Sequence, residues 1–74
     1  MMSLERRIEM IERHAHLART LAQSLAFSRS VDRAMAEIKR VSSAAKRYEL
    51  FNAVVRATTV QVEMWRARAS LMEN

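Results

Sequence analysis

The stretch YELFNAVVRATTVQVEMWRARASLM, Tyr48 to Met72, decides how this chain folds. Within it Tyr48, Phe51, Val55, Thr58, Val62, Trp65, Ala69 and Met72 recur at alternating steps of three and four, the spacing of a coiled-coil seam. A second row, Leu50, Val54, Ala57, Gln61, Met64, Arg68 and Leu71, runs beside the first, with Ala53, Val60 and Ala67 beyond it. At ~100° per residue these rows wrap roughly 240° of a helix surface. The continuous polar stripe is confined to Glu49, Asn52, Arg56, Thr59, Glu63, Arg66 and Ser70. One neighbouring helix cannot cover so wide an arc. The helix is therefore expected to be sandwiched between its own chain and a second molecule.

Working back toward the N-terminus, Leu4, Ile8, Ile11, Ala15, Ala18, Ala22 and Leu25 also step by three and four, with Leu17 and Leu21 beside them. Ser3 is suited to cap this stripe, and Glu5 faces the positive end of the helix. Past Leu25 the phase slips, and Phe27, Val31, Ala34, Met35, Ile38 and Val41 take over on another side. Ser28 and Ser30 sit at the slip, where either could cap a new helix. Val41-Ser42-Ser43-Ala44-Ala45 carries the best turn signal, with Lys39 and Arg40 favoured at the preceding helix C-terminus. The expected architecture is a single all-α domain over 1–74: a helix over about 3–40, a turn over about 41–46 and a helix over about 47–72. The two arms form an antiparallel hairpin, or three helices if the first half breaks near Ser28. Glu73-Asn74 is expected to fray.

Composition points the same way. The 74 residues include no Gly, Pro or Cys, and half are hydrophobic, which disfavours the tight turns of β folds and suits long helices. A chain this short usually needs a disulfide, a metal or association to be firmly stable. Disulfides are impossible here, so association is the expected remedy. Arg6, Arg7, Glu9, Glu12 and Arg13 interrupt any signal-peptide core, and Arg56 and Glu63 break the best candidate membrane span. A cytoplasmic location without a membrane span follows as the expectation, compatible with the absence of Cys.

No constellation of catalytic residues is evident. His14 and His16, two residues apart, point about 200° apart on a helix and cannot share a metal. The carboxylates Glu5, Glu9 and Glu12 sit on a polar face, and there is neither a thiol nucleophile nor a Gly-rich phosphate loop. A non-enzymatic protein with no cofactor is expected. Tyr48, Phe51, Val55, Val62 and Trp65 are assigned to the hairpin core, since aromatics at helical spacing are usually packed. The second row, through Leu50, Val54, Met64 and Leu71, is assigned to partner contact, joined by Phe27 and Val31. The segment from Arg29 to Arg47 holds six bases against two acids, most of the chain's net +5. A homodimeric helical bundle binding RNA or DNA is accordingly one alternative, and a homo-oligomeric coiled coil without a client is another.

Ser3-Leu4-Glu5-Arg6-Arg7-Ile8 and Ala45-Lys46-Arg47-Tyr48-Glu49-Leu50-Phe51-Asn52 resemble the openings of the two helices in the small needle-subunit co-chaperones of bacterial type III secretion. Length, hairpin layout and lack of Cys are also similar. The interhelical turn departs from that family, with Ser42-Ser43 where members often carry Gly, and the chain is more basic. The resemblance implies a cytoplasmic hairpin that pairs with a helical-repeat chaperone and cradles the needle subunit, holding it unpolymerised. It implies that Tyr48, Leu50 and Phe51 lie near the boundary between hairpin core and partner.

Overall fold

Ser3 opens the first helix: its backbone is extended and its hydroxyl accepts the Arg6 amide at 3.2 Å. The computed structural model describes residues 2–73, and those residues are all-α, with no strand. Three helices follow one another, α1 (Leu4–Ala15), α2 (Leu21–Ile38) and α3 (Ala44–Glu73). Asn74, expected to fray, lies outside the described residues.

The first half is two helices, and its break falls over residues 16–20, not near Ser28. The amides of His16, Leu17 and Ala18 turn back onto the carbonyls of Arg13 and His14. Thr20 then starts α2 with a complete capping box. Its hydroxyl accepts the Gln23 amide at 3.1 Å, while the Gln23 carboxamide oxygen accepts the Thr20 amide at 3.2 Å. Ser28 lies inside α2, and the Ser30 hydroxyl donates to the Ala26 carbonyl one turn back. The apolar stripe read as continuous from Leu4 to Leu25 therefore crosses a corner. Its members past the corner, Ala22 and Leu25, are exposed, Leu25 at 50%, as is Leu21 beside them at 70%. Replacing Thr20 with Ala should cost about 1 kcal/mol, whereas Ser28→Ala should stay within about 0.5 kcal/mol of the parent; urea melts of both variants check this.

Between α2 and α3 the turn closes without Gly. Ser43 Oγ accepts the Lys46 amide at 3.2 Å, and the Arg47 guanidinium donates to the carbonyls of Val41 and Ser42. An arginine here does what a left-handed residue would otherwise do, satisfying carbonyls at a helix end. The turn is short enough that α3 begins at Ala44, inside the segment expected to be loop.

The helices run up, down and up. Arg7 near the start of α1 meets Glu37 near the end of α2 at 2.6 Å, so these two are antiparallel. Ser24 near the start of α2 meets Gln61 late in α3 at 3.1 Å, so α2 and α3 form the expected antiparallel hairpin. α1 folds back across both. The core is Ile8, Ile11, Ala15 and Ala18, with Phe27, Ala34 and Ile38 from α2 and Leu50, Ala53, Val54 and Ala57 from α3. Five of these eleven are alanines, which lets the helices approach closely but buries little apolar area per residue. At ~1.5 Å per residue α3 is about 45 Å long, nearly the whole 48 Å extent of the molecule. α2 is only 18 residues long. α3 consequently overhangs, and it is exposed from Arg66 to Met72.

Candidate functional site

Between Tyr48 and Val62 the two apolar rows of α3 exchange the roles assigned to them from sequence. Leu50 and Val54, expected to face a partner, are buried at 5% and 2% exposure, and Ala53, Ala57 and Gln61 join them. Tyr48, Phe51, Val55 and Val62, expected in the hairpin core, are 71%, 43%, 43% and 44% exposed. Trp65 is half-buried. The reason is steric and polar together. With α1 and α2 separate, α3 has two neighbours inside its own chain. The second row, with Ala57 in it and Ala53 beside it, admits both at close range, whereas the row containing Tyr48, Phe51 and Trp65 would hold them apart.

Gln61 fixes that orientation. Its amide nitrogen donates to the carbonyls of Ala15 at 2.7 Å and Ala18 at 3.0 Å, satisfying the C-terminal end of α1. Its carbonyl oxygen accepts from Ser24 Oγ at 3.1 Å and from the Trp65 indole at 3.3 Å. The Trp65 indole also donates to Ser24 Oγ at 2.9 Å, and the Arg68 guanidinium stacks 4.7 Å from its ring centroid. Arg68 in turn donates to the Arg19 carbonyl. One buried amide thus ties the end of α1, the start of α2 and α3 together with its own hydrogen-bonding capacity met.

Above this joint lies an open apolar trough of about 510 Å³ between α2 and α3. Phe27, buried, belongs to its floor; Val31, Thr58, Val62, Trp65 and Ala69 line its sides. Of the residues assigned to partner contact from sequence, Phe27 and Val31 are brought together here, while half-buried Met64 and exposed Leu71 are not part of it. The trough continues into the exposed seam of α3, Tyr48 through Met72. On α2, Leu21 sits one heptad before Ser28, a trough residue, and Leu25 three positions before it, so both exposed leucines border the same side. The apolar spacing runs unbroken through the corner, and so gives no sign that Leu21 and Leu25 face outward.

The basic cluster is divided. Arg47 is committed to the turn carbonyls, and Lys46 lies 3.8 Å from Glu49. Arg33 borders a small hollow with Arg7 and His14, on the side of α2 facing α1. Among the described residues no three His, Cys, Asp or Glu side chains gather into a metal-sized group. No helix among them is long and apolar enough to cross a membrane. Among the described residues, fold and trough together define a three-helix bundle with an unpartnered apolar face. Comparisons with protein-family models, with curated proteins and with solved structures return no match.

Proposed function

We propose that the protein is a small non-enzymatic protein-binding module, a co-chaperone that pairs with a helical-repeat chaperone to hold a type III secretion needle subunit unpolymerised in the cytoplasm. The observation that carries the binding role is the apolar trough continuing into the exposed seam of α3. A helix laid along that seam meets apolar groups at every turn, as in helix-in-groove recognition. Burying about 600 Å² of this surface would contribute roughly 15 kcal/mol before the costs of association and ordering. The client assignment rests on the resemblance carried by Ser3–Ile8 and Ala45–Asn52.

The test is recovery of the tagged chain from its native host at physiological salt, with its companions identified by mass. Joint recovery of a helical-repeat protein and a needle-type subunit supports the reading. Recovery of nucleic acid, lost as salt is raised, would replace it with the basic-bundle alternative; recovery of the chain alone would remove the client.

A further inference from the structure

The geometry points to a second copy of this chain as the occupant of the exposed face when no other partner is present. In this homodimer two α3 helices pack antiparallel, the Thr58–Val62 segments crossing at the two-fold axis. This pairing goes beyond the client reading and does not depend on it.

Length is the first argument. The seam from Tyr48 to Met72 spans about 36 Å at ~1.5 Å per residue, and with the bordering side of α2 it is about two helix diameters, or ~20 Å, wide. Such a face presents roughly 700 Å², close to the ~800 Å² per partner of a stable interface. The chain's own alanine-rich core leaves that face bare.

Layering is the second. Antiparallel alignment over the whole seam sets Tyr48 against Met72 of the second copy, Phe51 against Ala69, Val55 against Trp65 and Thr58 against Val62. Large faces small in the Phe51 and Trp65 layers, as close packing requires. Parallel alignment would instead stack Phe51 on Phe51 and Trp65 on Trp65, with gaps at Ala69. Antiparallel alignment also brings Arg56 level with Glu63 of the second copy, twice by symmetry, with no like charges opposed.

The overhang is the third. Met72 projects beyond its own bundle and is exposed, as are Ala69 at the open end of the trough and Tyr48 at the other end of α3. In the antiparallel pair each overhang covers the Tyr48–Phe51 end of the second copy. Because Ser24 bonds Gln61, the axis that crosses α3 near residue 60 crosses α2 near Leu25. The exposed Leu25 then meets its counterpart, with a Leu21 one turn to either side of that contact, and the two hairpins close into a four-helix bundle with both α1 helices outside. A partner helix on the same face would displace the second copy.

The chain has no Cys, so a single introduced thiol places one spin label per copy. Full-length Thr59→Cys and Glu49→Cys, both at exposed positions, are labelled and their pairwise distances measured by pulsed dipolar spectroscopy, beside sedimentation of the unlabelled chain. The expected results are a mass twice the 8.6 kDa of one chain, a Thr59 distance under about 20 Å and a Glu49 distance of about 35 Å from the axial offset of ~1.5 Å per residue. A monomer at 100 µM or so, two short distances (a parallel pair) or two long ones (a different face) would each overturn the proposal. Arg56→Glu should weaken the dimer several-fold and Arg56→Glu with Glu63→Arg should restore it; failure of that rescue would overturn the register.

Discussion

Gln61→Leu is expected to lower stability by about 2–4 kcal/mol, because removing one partner leaves buried or half-buried groups unsatisfied. The side chain lies in a row whose other members are Leu50, Val54 and Ala57, and by hydrophobic pattern alone a leucine there would improve the core. The hydrogen bonds reverse that expectation. Leucine would fill the volume yet leave the Ala15 and Ala18 carbonyls without their donor and the Ser24 hydroxyl without its acceptor, while the Trp65 indole keeps only its bond to Ser24. In a domain of this size each kcal/mol moves the midpoint by roughly 4–8 °C, so a drop of about 10 °C or more should appear in a thermal melt at fixed protein concentration. A melt equal to or above the parent's would mean that the amide is incidental and that α1 is held by apolar contact alone.

That one side chain also explains how far the sequence could be read. Helix periodicity, absence of strands, the Ser3 cap and the α2–α3 hairpin were all legible, because they depend on spacing within one segment. The corner at residues 16–20 was legible too, in Thr20-Leu21-Ala22-Gln23, a capping-box pattern that needs neither Gly nor Pro. The apolar stripe continues through it and masks it, while the phase slip at Ser28 mimics a break. Which row of α3 faces inward was not legible from size. Two apolar rows about 80–100° apart are equivalent until the number of neighbouring helices is known. Once α1 and α2 are separate, close approach favours the row with Ala57, which Ala53 flanks. Gln61, the polar member of that row, then looks like a cap for another helix, not a flaw in an apolar stripe.

The inversion of the rows makes the contrast between Val54→Asp and Val62→Asp the sharpest mutational test, and its direction is the reverse of what spacing and aromatic content suggest. Val54 is fully buried among the apolar side chains of the core, at 2% exposure. A carboxylate there should cost about 3–5 kcal/mol. A core in a chain this short rarely supplies more than about 3–5 kcal/mol, so Val54→Asp should lose most of its helical circular dichroism at 25 °C. Val62, 44% exposed on the trough wall, can turn a carboxylate to water. Val62→Asp should therefore keep the parent's helicity in the free chain while weakening association through that face by about 2 kcal/mol or more, roughly 30-fold. Circular dichroism paired with sedimentation separates the two effects. If Val62→Asp unfolds while Val54→Asp does not, α3 is rotated from the orientation described, and the trough would belong to the core instead of the surface.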